Sequence, residues 1–67
     1  MKREDFERYY KNKRTIQFWL KSNSIHPYTG KILSLSKEAL VLNDRKEGEL
    51  TFDYEDIMSP IKVMGEN

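Results

Sequence analysis

The chain has no cysteine, one histidine (His26), two prolines and three glycines in 67 residues. Without cysteine there can be no disulfide framework and no thiolate zinc site. A single histidine, with no carboxylates at ligand spacing, argues against a metal centre of any kind. No apolar run approaches the roughly 20 residues of a membrane-spanning helix. Met1-Lys2-Arg3-Glu4-Asp5-Phe6 carries charges with no apolar segment after them, so no signal peptide and a cytoplasmic location are expected. There is no glycine-rich phosphate loop, and Ser22, Ser24, Ser34 and Ser36 have no base arranged near them in sequence. Asp53, Glu55 and Asp56 crowd carboxylates together, but so short a chain has no second layer to build a cleft around them. The expectation is therefore no enzymatic activity, no cofactor and no metal.

What is present is a mixture of 37% hydrophobic and 34% charged residues, which fits a small folded domain better than a disordered chain. A domain of this length buries a modest share of its surface. Small folds gain stability from disulfides, metals or association, and only association is open here. The net charge is +1, but it is unevenly spread. Lys2, Arg3, Arg8, Lys11, Lys13 and Arg14 outweigh Glu4, Asp5 and Glu7 in the first 14 residues, a local +3. The remainder carries a local −2.

Periodicity divides the chain into a helix and five strands. Phe6, Tyr9 and Tyr10 form one stripe at helical spacing, predicting a helix over residues 2–12. Glu4 to Arg8 and Glu7 to Lys11 are acid-first pairs four residues apart, which supports it. From Thr15 the period changes to two: Ile16, Phe18 and Leu20 alternate with Gln17, Trp19 and Lys21. Ser22-Asn23-Ser24 and Pro27 break this first strand, and a second runs from Tyr28 to Leu35 through Gly30, where a bend is expected. Ala39–Leu42, Leu50–Tyr54 and Pro60–Met64 are the third, fourth and fifth strands. A polar loop over 43–48, a tight turn over 55–59 and a frayed tail at 65–67 complete the reading. The predicted core is Ile16, Phe18, Leu20, Ile32, Leu40, Leu42, Phe52, Ile57 and Ile61. Five short antiparallel strands around so small a core should curl into a barrel, giving an all-β fold with a short N-terminal α-helix in a single domain.

Three segments carry a family resemblance: Gly30-Lys31-Ile32-Leu33-Ser34-Leu35-Ser36, Ala39-Leu40-Val41-Leu42-Asn43-Asp44 and Phe52-Asp53-Tyr54-Glu55-Asp56-Ile57. With the preceding helix, they resemble the Sm-like superfamily, which includes the Sm and Lsm proteins and the bacterial RNA chaperone Hfq. Other SH3-like barrels share the same rhythm. The resemblance implies RNA binding and a homo-oligomeric ring, a hexamer or heptamer, in which the fourth strand of one subunit pairs with the fifth of the next. The sequence departs from the family where that family holds uridine. Ser36 replaces the usual acidic residue, Lys37-Glu38 lacks the aromatic and asparagine, and Glu55 and Asp56 oppose phosphate before the last strand.

The strongest nucleic-acid signal is the acid-free run Arg8-Tyr9-Tyr10-Lys11-Asn12-Lys13-Arg14. Cations there can meet phosphates and aromatic rings can stack on bases. By the resemblance, Lys11 and Lys13 match the basic rim of Hfq, and Arg14 adds a charge. The candidate RNA-binding residues are Arg8, Tyr10, Lys11, Lys13 and Arg14, with Trp19 and Tyr28 as a possible stacking pair and Lys37 in the turn after the second strand. A solvated helix end, with its tyrosines packed on the sheet and over Trp19, is the structural alternative. A second functional reading is a protein–protein interaction module of the same fold without nucleic-acid binding, favoured by the low net charge and the missing uridine residues.

Overall fold

The structure, a computed structural model, describes residues 1–64. α1 spans Glu4–Lys11, β1 Thr15–Leu20, β2 Asn23–Leu35, β3 Ala39–Asp44, β4 Gly48–Asp53 and β5 Ile57–Val63. A single 3₁₀ turn, Tyr54–Asp56, joins β4 to β5; it is shorter than the turn expected over 55–59, and β5 begins at Ile57 rather than Pro60. All pairings are antiparallel, and the sheet order is β4-β3-β2-β1-β5. The expected helix and five strands are therefore present. The expected closure is not made within the chain: β4 and β5 take the two outer positions, and among the described residues no ladder joins them. The fraying expected of residues 65–67 lies outside the described residues.

The core follows the period-two reading. Ile16, Phe18, Leu20, Ile32, Leu40, Leu42, Phe52 and Ile57 are buried together, as alternation predicts. Ile61 was also expected there but is only half-buried at the margin. It lies in an irregular stretch of the outer strand β5, where the register against β1 shifts between Gln17 and Trp19. Two aromatic residues join the core beyond that set. Phe6 of α1 is fully buried and stacks on Tyr54 at 5.5 Å, so one side chain fastens the helix to the 3₁₀ turn. The Tyr54 hydroxyl donates to the Ser36 carbonyl at 2.6 Å, tying that turn to the one between β2 and β3. Burial pushes the Tyr54 hydroxyl above its ordinary pKa, so it stays a donor through neutral pH.

β2 sets the shape of the molecule. Thirteen extended residues would span roughly 40 Å, yet the longest dimension of the fold is 30 Å. The strand must therefore coil, and its irregularities show where. Residues 24–27 stand opposite Trp19 alone, between the pairs Phe18↔Tyr28 and Leu20↔Asn23. Pro27 falls in this bulge, which is how β2 extends through a proline expected to end it. Leu33 is the extra residue of a second bulge, between Ile32↔Leu42 and Ser34↔Val41. Between the bulges, Gly30 lies so close to β3 that a Cβ would fall 1.9 Å from the Asn43 carbonyl oxygen.

α1 is shorter than the predicted 2–12 at both ends. Its first turn holds Glu4, Asp5 and Glu7 and its last Arg8 and Lys11, as the helix dipole prefers. The Lys2 N–H donates to the Asp5 carboxylate at 2.8 Å, so the chain turns into the helix before Glu4. At the other end the Lys13 N–H donates to the Tyr10 carbonyl and the Arg14 N–H to the Tyr9 carbonyl. That pair of bonds is a Schellman motif with Lys13 at its left-handed position, φ 53°.

Candidate nucleic-acid interface

The helix end and the β2 bulge together make a groove. Pushed out of the ladder, Leu33 is 43% exposed, and Tyr10 on α1 is 42% exposed. Apart from Ile25, they are the only large apolar side chains left open to solvent among the described residues. Both line one hollow of about 500 Å³, with Ile32 beside them. The other lining residues are Lys11 and Lys13 from the helix end and Lys31 from β2. Among the described residues no acidic side chain lines it. Apolar side chains and three ammonium groups in one hollow suit a ligand that combines a flat apolar part with an anionic one.

Of the residues predicted from sequence, Tyr10, Lys11 and Lys13 come together here. Lys31 and Leu33 complete the site and were not predicted. Lys31 stood isolated in sequence, and Leu33, outside the predicted core, was assigned no role because nothing in the Ile32-Leu33 pair announces the bulge beside it. Arg8 is exposed in the last turn of α1 but does not line the groove. Arg14 is half-buried as β1 begins, and its Nε is shielded from solvent without a hydrogen-bond partner among the described residues.

The remaining candidates lie elsewhere. Tyr28 pairs with Phe18, so it faces the core, with its ring centroid 6.5 Å from Phe18 and 4.9 Å from Phe52. Trp19 alternates with Phe18 and therefore faces the other way, next to Met58 of β5. The stacking pair of Trp19 and Tyr28 does not form, because adjacent registers put them on opposite faces. Nor does the helix cover Trp19, since α1 sends Phe6 to the core face. Lys37 sits in a different hollow, beside Lys2 and Arg3 but also Glu4, Glu38, Asp53 and Glu55. The mixed signs there cancel most of the attraction for phosphate that Lys37 was expected to exert.

Among the described residues no three His, Asp or Glu side chains converge as a metal site would require, and no helix is long and apolar enough to cross a membrane. Comparisons with protein-family models, curated proteins and solved structures found no match.

Proposed function

We propose that this chain is the subunit of an Sm-like, RNA-binding ring, with single-stranded RNA contacted at the groove between α1 and β2. The carrying observation is the groove: three lysines, two exposed apolar side chains and, among the described residues, no acid in one hollow. Lysines attract phosphate at any sequence, and the apolar side chains offer a surface to a base. The Sm-like reading is supported by element order, a helix before five antiparallel strands, and by the coiled second strand. It is also supported by the position of β4 and β5 at opposite edges with one short turn between them. An open strand edge invites a partner. Pairing β4 of one copy with β5 of the next is head-to-tail, and head-to-tail contacts close into rings when the rotation between copies permits. On this reading the barrel is completed across subunits. Native mass spectrometry of the chain, alone and with oligouridine, tests it. A hexamer or heptamer that retains RNA is expected; a monomer at micromolar concentration that takes up no RNA would overturn it.

The adaptor reading has one observation of its own. Trp19 and Met58, neighbours across β1 and β5, form a half-buried apolar pair on the outer face, away from the lysine groove. Protein binding abolished by Trp19→Ala, with no RNA binding at low salt, would favour that reading.

A further inference from the structure

We infer that Lys13 completes a seat for a single unpaired nucleotide, and that its left-handed backbone is retained, against stability, to do so. The inference rests on the RNA reading and goes beyond it by naming the unit bound and the residue that selects it.

The motif that ends α1 places one residue at positive φ, and glycine is the usual occupant because it has no Cβ to clash. Here the occupant is Lys13, at φ 53°. An L side chain in this region crowds the following carbonyl, so the position is strained. Asn12, a residue type better suited to that conformation, stands one place earlier and is not used for it. The strain has a geometric consequence. Along a continuous helix, residues two apart lie roughly 200° around the axis and do not face one another. Lys11 and Lys13 would then point to different sides. The left-handed turn reverses the chain after Asn12, and both lysines line the same hollow as Tyr10.

With Lys13 in place the hollow is lined by cations from two elements: Lys11 and Lys13 from the helix end, Lys31 from β2. Tyr10 and Leu33 supply apolar surface in the same hollow. A phosphate held by these ammonium groups leaves its base against Tyr10 and Leu33 only if that base is not stacked and paired within a duplex. The groove therefore takes one nucleotide of a single strand.

The test compares the full chain with Lys13→Gly and Lys13→Arg, using a short fluorescent oligouridine and a blunt-ended RNA duplex of equal length. The parent should bind the single strand at least about ten-fold tighter than the duplex. Lys13→Gly should melt about 4 °C higher yet bind the single strand roughly five- to ten-fold more weakly, with a salt slope shallower by about 0.7. Lys13→Arg should keep the parent's affinity and slope. A glycine variant that binds like the parent, or that melts lower, overturns the inference, as does equal binding of the blunt-ended duplex. A parent that binds but is matched by its glycine variant refutes only the role of Lys13. A parent that binds neither RNA refutes the RNA reading as well.

Discussion

Asp44 is the buried charged residue of the described chain, and three backbone N–H groups explain how the fold tolerates it. Thr29 donates to one carboxylate oxygen at 3.0 Å, and Lys46 and Glu47 donate to the other at 3.0 and 2.9 Å. One side chain thus closes the β3–β4 hairpin and joins it to β2. Burial alone would raise its pKa, but the N–H groups of Glu47, Thr29 and Lys46 outweigh burial and hold it below the ordinary 3.8. The folded state therefore binds the Asp44 proton more weakly than the unfolded chain does. Its contribution is complete above the unfolded pKa and is lost as pH falls through the folded value. Asp44→Ala strands three donors and should cost on the order of 3 kcal/mol in thermal or urea unfolding at pH 7. Asp44→Asn should also be less stable at pH 7, and the gap from the parent should narrow as pH falls below about 4. A gap that stays constant down to pH 2 would contradict this assignment.

Gly30 is constrained by its neighbour. A methyl group there would meet the Asn43 carbonyl oxygen at 1.9 Å and its carbon at 2.7 Å, both backbone atoms of the paired strand. Nothing can rotate aside, so β2 and β3 must separate. Gly30→Ala should cost about 3 kcal/mol, read as a lowered urea midpoint. A variant as stable as the parent would show that the strands are less closely apposed.

At the scale of elements, the strands were legible and their irregularities were not. Ile16, Phe18 and Leu20 alternate cleanly with polar or outward residues, so β1 was readable to within a residue. β2 was read five residues short because Pro27 is a sound stop signal for a regular ladder. The bulge opposite Trp19 removes the need for its missing N–H, and a bulge depends on the partner strand. Leu33 was placed in β2 but given no role, because its exposure comes from the second bulge, which also depends on the partner strand. Phe6 was visible as part of an aromatic stripe, but its contact with Tyr54 is tertiary and carries no local signal. The basic run at the helix end was the legible part of the site; Lys31, supplied from across the fold, was not.

The outer strand β5 offers a specific experiment at this scale. The Met64 N–H donates to the Thr15 carbonyl on β1. Backbone groups alternate sides along an antiparallel strand, so the Val63 N–H points to the open edge and the Lys62 N–H back toward β1. Val63→Pro should therefore spare the chain's own ladder: if β5 joins neighbouring copies as proposed, the oligomer dissociates while the monomer stays folded by circular dichroism. Lys62→Pro should instead break the chain's own ladder and unfold it. Equal oligomeric mass for Val63→Pro and the parent would argue against assembly through β5.

The whole molecule separates its charge by place. The lysine-lined groove lies at one end of α1, while the hollow at the other end mixes both signs and collects Glu4, Glu38, Asp53 and Glu55. An overall charge near neutrality thus conceals a local cationic site, which is why the total of +1 said little about nucleic acid. If β4 and β5 join neighbouring copies, each subunit adds one such groove to the assembly, and binding to a long strand gains from several weak contacts made at once.

The salt dependence of single-stranded RNA affinity tests the central claim most directly, measured for the parent and for Lys11→Gln/Lys13→Gln/Lys31→Gln. Each phosphate neutralised on a single strand contributes a slope of about −0.7 in log K against log salt. For each groove occupied, the parent should bind with a slope steeper than the triple variant by about 2, and the variant should bind far more weakly at low salt. An RNA affinity that is insensitive to salt, or one that the three substitutions leave unchanged, would contradict the account.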